Sequence, residues 1–143
     1  MVADKPKKTR RKDGGRNRRL PDVLNMQEIE ILINGVSNPT HQMAFALMAY
    51  AGLRVAEAQT LHTSNIFMSK NYLQIIGKGN KERKVPISVP LKKLLQEYIA
   101  RHQKEAGPLI TISVRSIQKA LNFYGAKILN RKLNPHLLRH SFA

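Results

Sequence analysis

The chain has 143 residues, 42% of them apolar, no cysteine, and 25 Lys and Arg against 9 Asp and Glu for a formal charge of +16. That length suits one domain with a modest core, and the absence of cysteine excludes disulfides and thiolate metal sites. The longest mainly apolar run, Met43 to Leu53, is too short to span a bilayer, and the basic N-terminus has no apolar stretch behind it, so neither a membrane partner nor a secretory signal is expected and the chain reads as soluble and cytoplasmic or nucleoid-associated.

Residues 1–19 carry nine of the basic side chains, two acids, Gly14-Gly15 and almost no apolar content, which predicts a disordered basic arm whose Lys7, Lys8, Arg10 and Arg11 are placed to meet phosphates. A solvated tail is the alternative. The remainder keeps a net charge of +9, so residues 20–143 are basic in their own right and a polyanion is the natural partner. Asn25 with Glu28 predicts a capping box opening a helix whose apolar face is Ile29, Leu32, Ile33 and Val36. Asn38-Pro39 opens a second helix, with Met43, Leu47 and Tyr50 inward and Gly52 as its stop. A short helix is predicted from about Arg54 to Leu61.

The period then changes. Tyr72 to Ile76 and Arg83 to Ile87 read as two strands around the turn Gly77-Lys78-Gly79-Asn80-Lys81, with Pro86 confining the second strand to an edge. Helices return over about Pro90 to Lys104 and Val114 to Leu129, and Asn134-Pro135 starts a last one that continues to Ala143. The expected class is α+β: mainly α-helical with a small antiparallel hairpin or sheet.

Three segments can carry chemistry. Arg54 sits where one helix stops and the next begins, able to project into a cleft or to make an ordinary ion pair with Glu57. The hairpin tip bears Lys78 and Lys81, with Arg83 just beyond. It lacks the spacing of a nucleotide-binding loop, which leaves a nucleic-acid groove or plain solvent as its surroundings. His136, Arg139 and His140 share one helical face, where they repel unless an anion joins them. Two imidazoles beside an arginine are too few ligands for a metal, so no metal site and no cofactor is expected.

In this order, Gly52-Leu53-Arg54-x-x-Glu57, Gly77-Lys78-Gly79-x-Lys81-x-Arg83-x-Val85-Pro86 and Pro135-His136-x-Leu138-Arg139-His140 resemble the catalytic domain of tyrosine recombinases of the phage integrase family. Leu20 to Leu24 looks like the start of this domain in Xer-like members. The resemblance implies Arg54 and Arg139 as the catalytic arginines, Lys78 as the hairpin lysine and His136 as the box histidine, with Glu57 and His140 in support. It also implies double-stranded DNA as substrate, other protomers as partners, and cleavage by a tyrosine through a 3′-phosphotyrosyl link, without metal or small-molecule cofactor. Guanidinium forks suit the charge that develops on a phosphate under attack, and a mobile lysine suits protonation of the leaving 5′ oxygen.

The family's nucleophile follows the His-x-x-Arg box, whereas Tyr50, Tyr72, Tyr98 and Tyr124 all precede it. No nucleophile is therefore expected in the chain, which reads as a C-terminally truncated catalytic domain. Asn65 stands where an aspartate is more usual. Three outcomes remain open: a fragment or decayed integrase, a DNA-binding regulator that does not cleave, or a site completed by a tyrosine in trans. A basic RNA-binding protein is the competing reading from another class.

Overall fold

The computed structural model of the protein describes residues 23–102 and 105–140. The basic arm with Lys7, Lys8, Arg10 and Arg11, the segment Leu20-Pro21, Lys104 and Ser141 to Ala143 lie outside the described residues. Six α-helices and a three-stranded sheet follow one another as α1 (Met26–Gly35), α2 (Pro39–Ala51), α3 (Val55–Thr60), β1 (Ile66–Phe67), β2 (Tyr72–Ile76), β3 (Glu82–Pro86), α4 (Val89–His102), α5 (Val114–Tyr124) and α6 (Pro135–His140). The α+β class expected from the periodicities is the one observed.

Helix α2 organises the rest. Its sequence is apolar all round rather than along one stripe, and Met43 through Ala49 are all buried, so neighbours must cover every side of it. It packs against α1, α3, α4, α5 and α6. Local signals set its ends: the Asn38 side chain accepts from the Thr40 and His41 amides, Pro39 opens the first turn, and Gly52 closes the helix at φ 68°. The capping box at Asn25 and Glu28 forms as expected, and Glu28 additionally takes an ion pair from Arg131 at 2.9 Å.

The sheet order is β1-β2-β3, all antiparallel, with Leu73 opposite Val85 and Ile75 opposite Arg83. Leu73, Ile75, Val85 and Ile87 face the core. The second predicted strand begins and ends one residue earlier than expected; Ile87 still donates its N–H to the Asn71 carbonyl, but Asn71 is left-handed at φ 62°, so regular pairing stops there. Strand β1 was not anticipated, since two residues carry no readable alternation. The helix predicted to run on to Leu129 is α-helical only to Tyr124, and Gly125–Leu129 follow as a π-turn. Gly125 explains the change. A Cβ there would lie 2.7 Å from Leu133 Cγ and 2.9 Å from the Arg131 carbonyl, so only glycine admits the returning chain.

Candidate functional site

Gly52 positions both arginines of the site. A helix end leaves carbonyls without partners, and the Gly52 carbonyl at the end of α2 is taken by Arg139, whose Nε–H donates to it at 2.8 Å across 87 residues of sequence. One residue on, Leu53 is fully buried and anchors the turn, after which Arg54 stands exposed as the residue before α3. The same left-handed turn thus pins one guanidinium and launches the other. On α6, the Asn134 side chain accepts from the Leu137 amide at 2.9 Å, and burial of Leu133 and Leu138 turns His136 and His140 outward. Their rings lie 6.4 Å apart, centroid to centroid.

These placements bring Arg54, His136, Arg139 and His140 into the wall of one cleft, completed by Val55, Ala56, Pro135 and Gln118 of α5. None of these residues is a carboxylate. Arg139 and His140 also border a second depression, between the end of α2 and strand β3, which Arg83 and Lys84 line. The two hollows share a wall formed by Arg139 and His140. Two guanidiniums converging without a carboxylate repel one another until an anion enters, and their forked donors match the paired oxygens of a phosphate.

Glu57 does not pair with the Arg54 side chain. Its Oε1 accepts the Arg54 backbone N–H at 2.9 Å, and both carboxylate oxygens take the Arg83 guanidinium at 2.8 Å each. The Arg83 hydrogen bonds, followed by the Arg54 amide, hold the Glu57 carboxyl below the usual glutamate range, and the same pair raises Arg83. Arg83, expected to face nucleic acid directly, is thus committed to Glu57, while Lys81 is exposed. Lys84 lies over the Tyr72 ring at 4.9 Å. Lys78 opens a 3₁₀ turn, Lys78–Asn80, at the hairpin tip.

The tyrosines are engaged elsewhere. Tyr98 and Tyr124 hydroxyls pair with Thr40 and Ser37 at 3.2 and 3.4 Å, Tyr72 stacks on Phe67, and Tyr50 is half-buried against the core. None lines the cleft. Sequence reasoning missed the Gly52 carbonyl as the partner of Arg139 and Gln118 as a wall residue, since no local pattern marks either. It could have found the inward turn of Arg83, which lies two and four residues before Val85 and Ile87 and so shares their face. Among the described residues no cluster of metal-ligating side chains occurs, and no helix is long and apolar enough to cross a membrane.

A family model described as "Phage integrase family" matches residues 22–143. Tyrosine recombinase XerC of Proteus mirabilis is 33% identical over 141 residues, covering 88% of this chain and 46% of its own length. The chain therefore spans about half the length of the recombinases it matches. In fold it resembles the XerA recombinase crystal structure, with a TM-score of 0.74 at 23% identity over 87% of this chain and 50% of that one. XerH recombinase bound to its difH substrate before cleavage gives a TM-score of 0.64 at 24% identity, over 87% of this chain and 42% of that one.

Proposed function

The chain belongs to the phage integrase family, and from that premise we propose that it grips a phosphodiester of duplex DNA in a site-specific recombination reaction. The observation that carries this reading is the convergence of Arg54, His136 and Arg139 on one cleft with no carboxylate among its described wall residues. Arg54 and Arg139 hold the two non-bridging oxygens, Arg139 through its terminal nitrogens because its Nε is committed to Gly52. His136 hydrogen-bonds the same group. A tyrosine hydroxyl attacks phosphorus and gives up its proton to solvent, the bond to the 5′ oxygen breaks, and Lys78 on the hairpin delivers the proton that the leaving oxygen needs. The arginines act by holding charge that is larger in the transition state than in the ground state.

None of Tyr50, Tyr72, Tyr98 and Tyr124 stands at the cleft, so in this mechanism the attacking tyrosine is brought to it from elsewhere, another protomer included. A polypeptide of these residues alone grips DNA without cutting it. Lys81, and Lys7, Lys8, Arg10 and Arg11 of the N-terminal segment, add contacts to the flanking backbone.

Duplex binding followed by fluorescence anisotropy across a salt series tests the reading. Counterion release predicts log K falling linearly with log salt, by about 0.9 per phosphate neutralised, and a shallower slope once residues 1–19 are deleted. Affinity that is flat between low and physiological salt would refute it.

A further inference from the structure

We infer that Arg83 is a positioning residue: its pairing with Glu57 latches the base of the β2–β3 hairpin to the turn that bears Arg54, and so sets where Lys78 stands against the arginines. The inference rests on the reading of Lys78 as proton donor given above. Its grounds are geometric. The register puts Arg83 opposite Ile75, hence on the inward face that Leu73 and Val85 also share. There it meets Glu57, whose side chain is 9% exposed against 40% for Arg83. Both guanidinium contacts are 2.8 Å and fork onto the two carboxylate oxygens, while Oε1 also takes the Arg54 amide at 2.9 Å. One carboxylate therefore grips the backbone at Arg54 and the strand that follows Lys78.

The strand that precedes Lys78 touches the same pair. A Cβ on Gly77 would lie 3.4 Å from Glu57 Oε2 and 3.5 Å from Arg83 Nη1, so the residue before Lys78 packs on the ion pair. The Gly77 N–H closes the turn onto the Lys81 carbonyl at 2.8 Å. On the other face, Gln74 donates to Glu82 at 2.6 Å, a bond that ties strand to strand but not to α3. Farther out, a Cβ on Gly79 would meet nothing within 4 Å, so the tip overhangs. The hairpin is held at its base by the Glu57–Arg83 pair and, among the described residues, is open around Gly79 at its end, a lever whose fulcrum is the pair.

Residue-resolved hydrogen exchange on the whole chain, without DNA, tests the latch. In Arg83→Gln the Gly77 amide should exchange roughly five- to tenfold faster, the scale of a well-aligned ion pair partly open to solvent, while α2 amides stay protected. Arg83→Lys, which keeps the charge but loses the fork, should fall between. Protection at Gly77 should decline in the wild type as pH drops through the lowered Glu57 value, and Glu57→Gln should abolish that dependence. With a nicked duplex bound, amine labelling should find Lys78 shielded in the wild type and labelled in Arg83→Gln. Unchanged Gly77 exchange in both neutral variants would overturn the inference. So would a loss of protection spread equally over α2, which would make the pair a general prop of the fold. A wild type that does not bind duplex at all refutes the reading of the cleft, yet leaves the exchange result to stand by itself.

Discussion

Replacing each clamp arginine with lysine separates holding an anion from holding the fold. Arg54 is exposed and its side chain takes no hydrogen bond among the described residues, so Arg54→Lys should leave stability within about 0.5 kcal/mol. Arg139 is different. Its Nε serves the Gly52 carbonyl at 2.8 Å, and the same residue lines the cleft. A lysine has one ammonium for both tasks. Turned to Gly52 it leaves the cleft; turned to the cleft it leaves the end of α2 open. A hydrogen bond from a charged donor contributes roughly 1.5–3 kcal/mol, and partial exposure reduces that to about 1.5 kcal/mol here, or a melting temperature lower by roughly 5 °C. Loss of one arm of a two-point grip on phosphate should weaken anion binding about tenfold in either variant, equivalent to ~1.4 kcal/mol. Calorimetric titration with orthovanadate and thermal unfolding of the three proteins would measure both quantities. Intact vanadate affinity in both variants would refute the clamp. Intact affinity together with a destabilised Arg54→Lys protein would make Arg54 a structural ion-pair partner instead.

Three further outcomes are expected. The Glu57 carboxyl is held below its ordinary value, so its contribution to stability is present above the unfolded value of about 4.3 and lost as pH falls through the folded one; the melting temperatures of wild type and Glu57→Gln should differ at pH 7 and converge in acid. Gly125→Ala forces a methyl within 2.9 Å of the Arg131 carbonyl and 2.7 Å of Leu133 Cγ, and should cost about 1–3 kcal/mol by chemical denaturation; a neutral substitution would mean that the π-turn repacks freely. On a denaturing gel the 143-residue protein should give no covalent band with nicked, labelled duplex. A band lost in a Tyr→Phe variant at 50, 72, 98 or 124 would overturn the assignment of those tyrosines to the core and sheet, and a band that appears only on mixing with a longer relative would mark donation in trans.

Much of the architecture was legible because its signals are local. The bonds that start and stop α1 and α2 run between residues two to five apart: Asn25 with Glu28, Asn38 with Thr40 and His41, Gly52 with Leu47 and Met48. His136, Arg139 and His140 were legible as one cluster for a similar reason, since helical spacing sets their shared face before any packing is known, whereas Arg54 became a candidate only through the resemblance of its Gly-Leu-Arg-x-x-Glu segment to the recombinases. Strand β1 was not legible, because a two-residue pairing has no period to read. The π-turn was not either, because its cause is the approach of Leu133 and Arg131 to Gly125 rather than anything within Val114 to Leu129.

By itself, then, the sequence determined the order of helices and strands, the charge that calls for a polyanion, and the residue types able to hold a phosphate. Tertiary structure decided which of these residues meet. Arg139 reaches Gly52 across 87 positions and Arg83 reaches Glu57 across 26. Such partnerships depend on how α6 seats against α2 and how the hairpin folds back on α3, and those are set by burial of Leu138, Leu53 and Val85. Burial is non-directional and summed over the whole core, so no short stretch of sequence records which pairs it brings together.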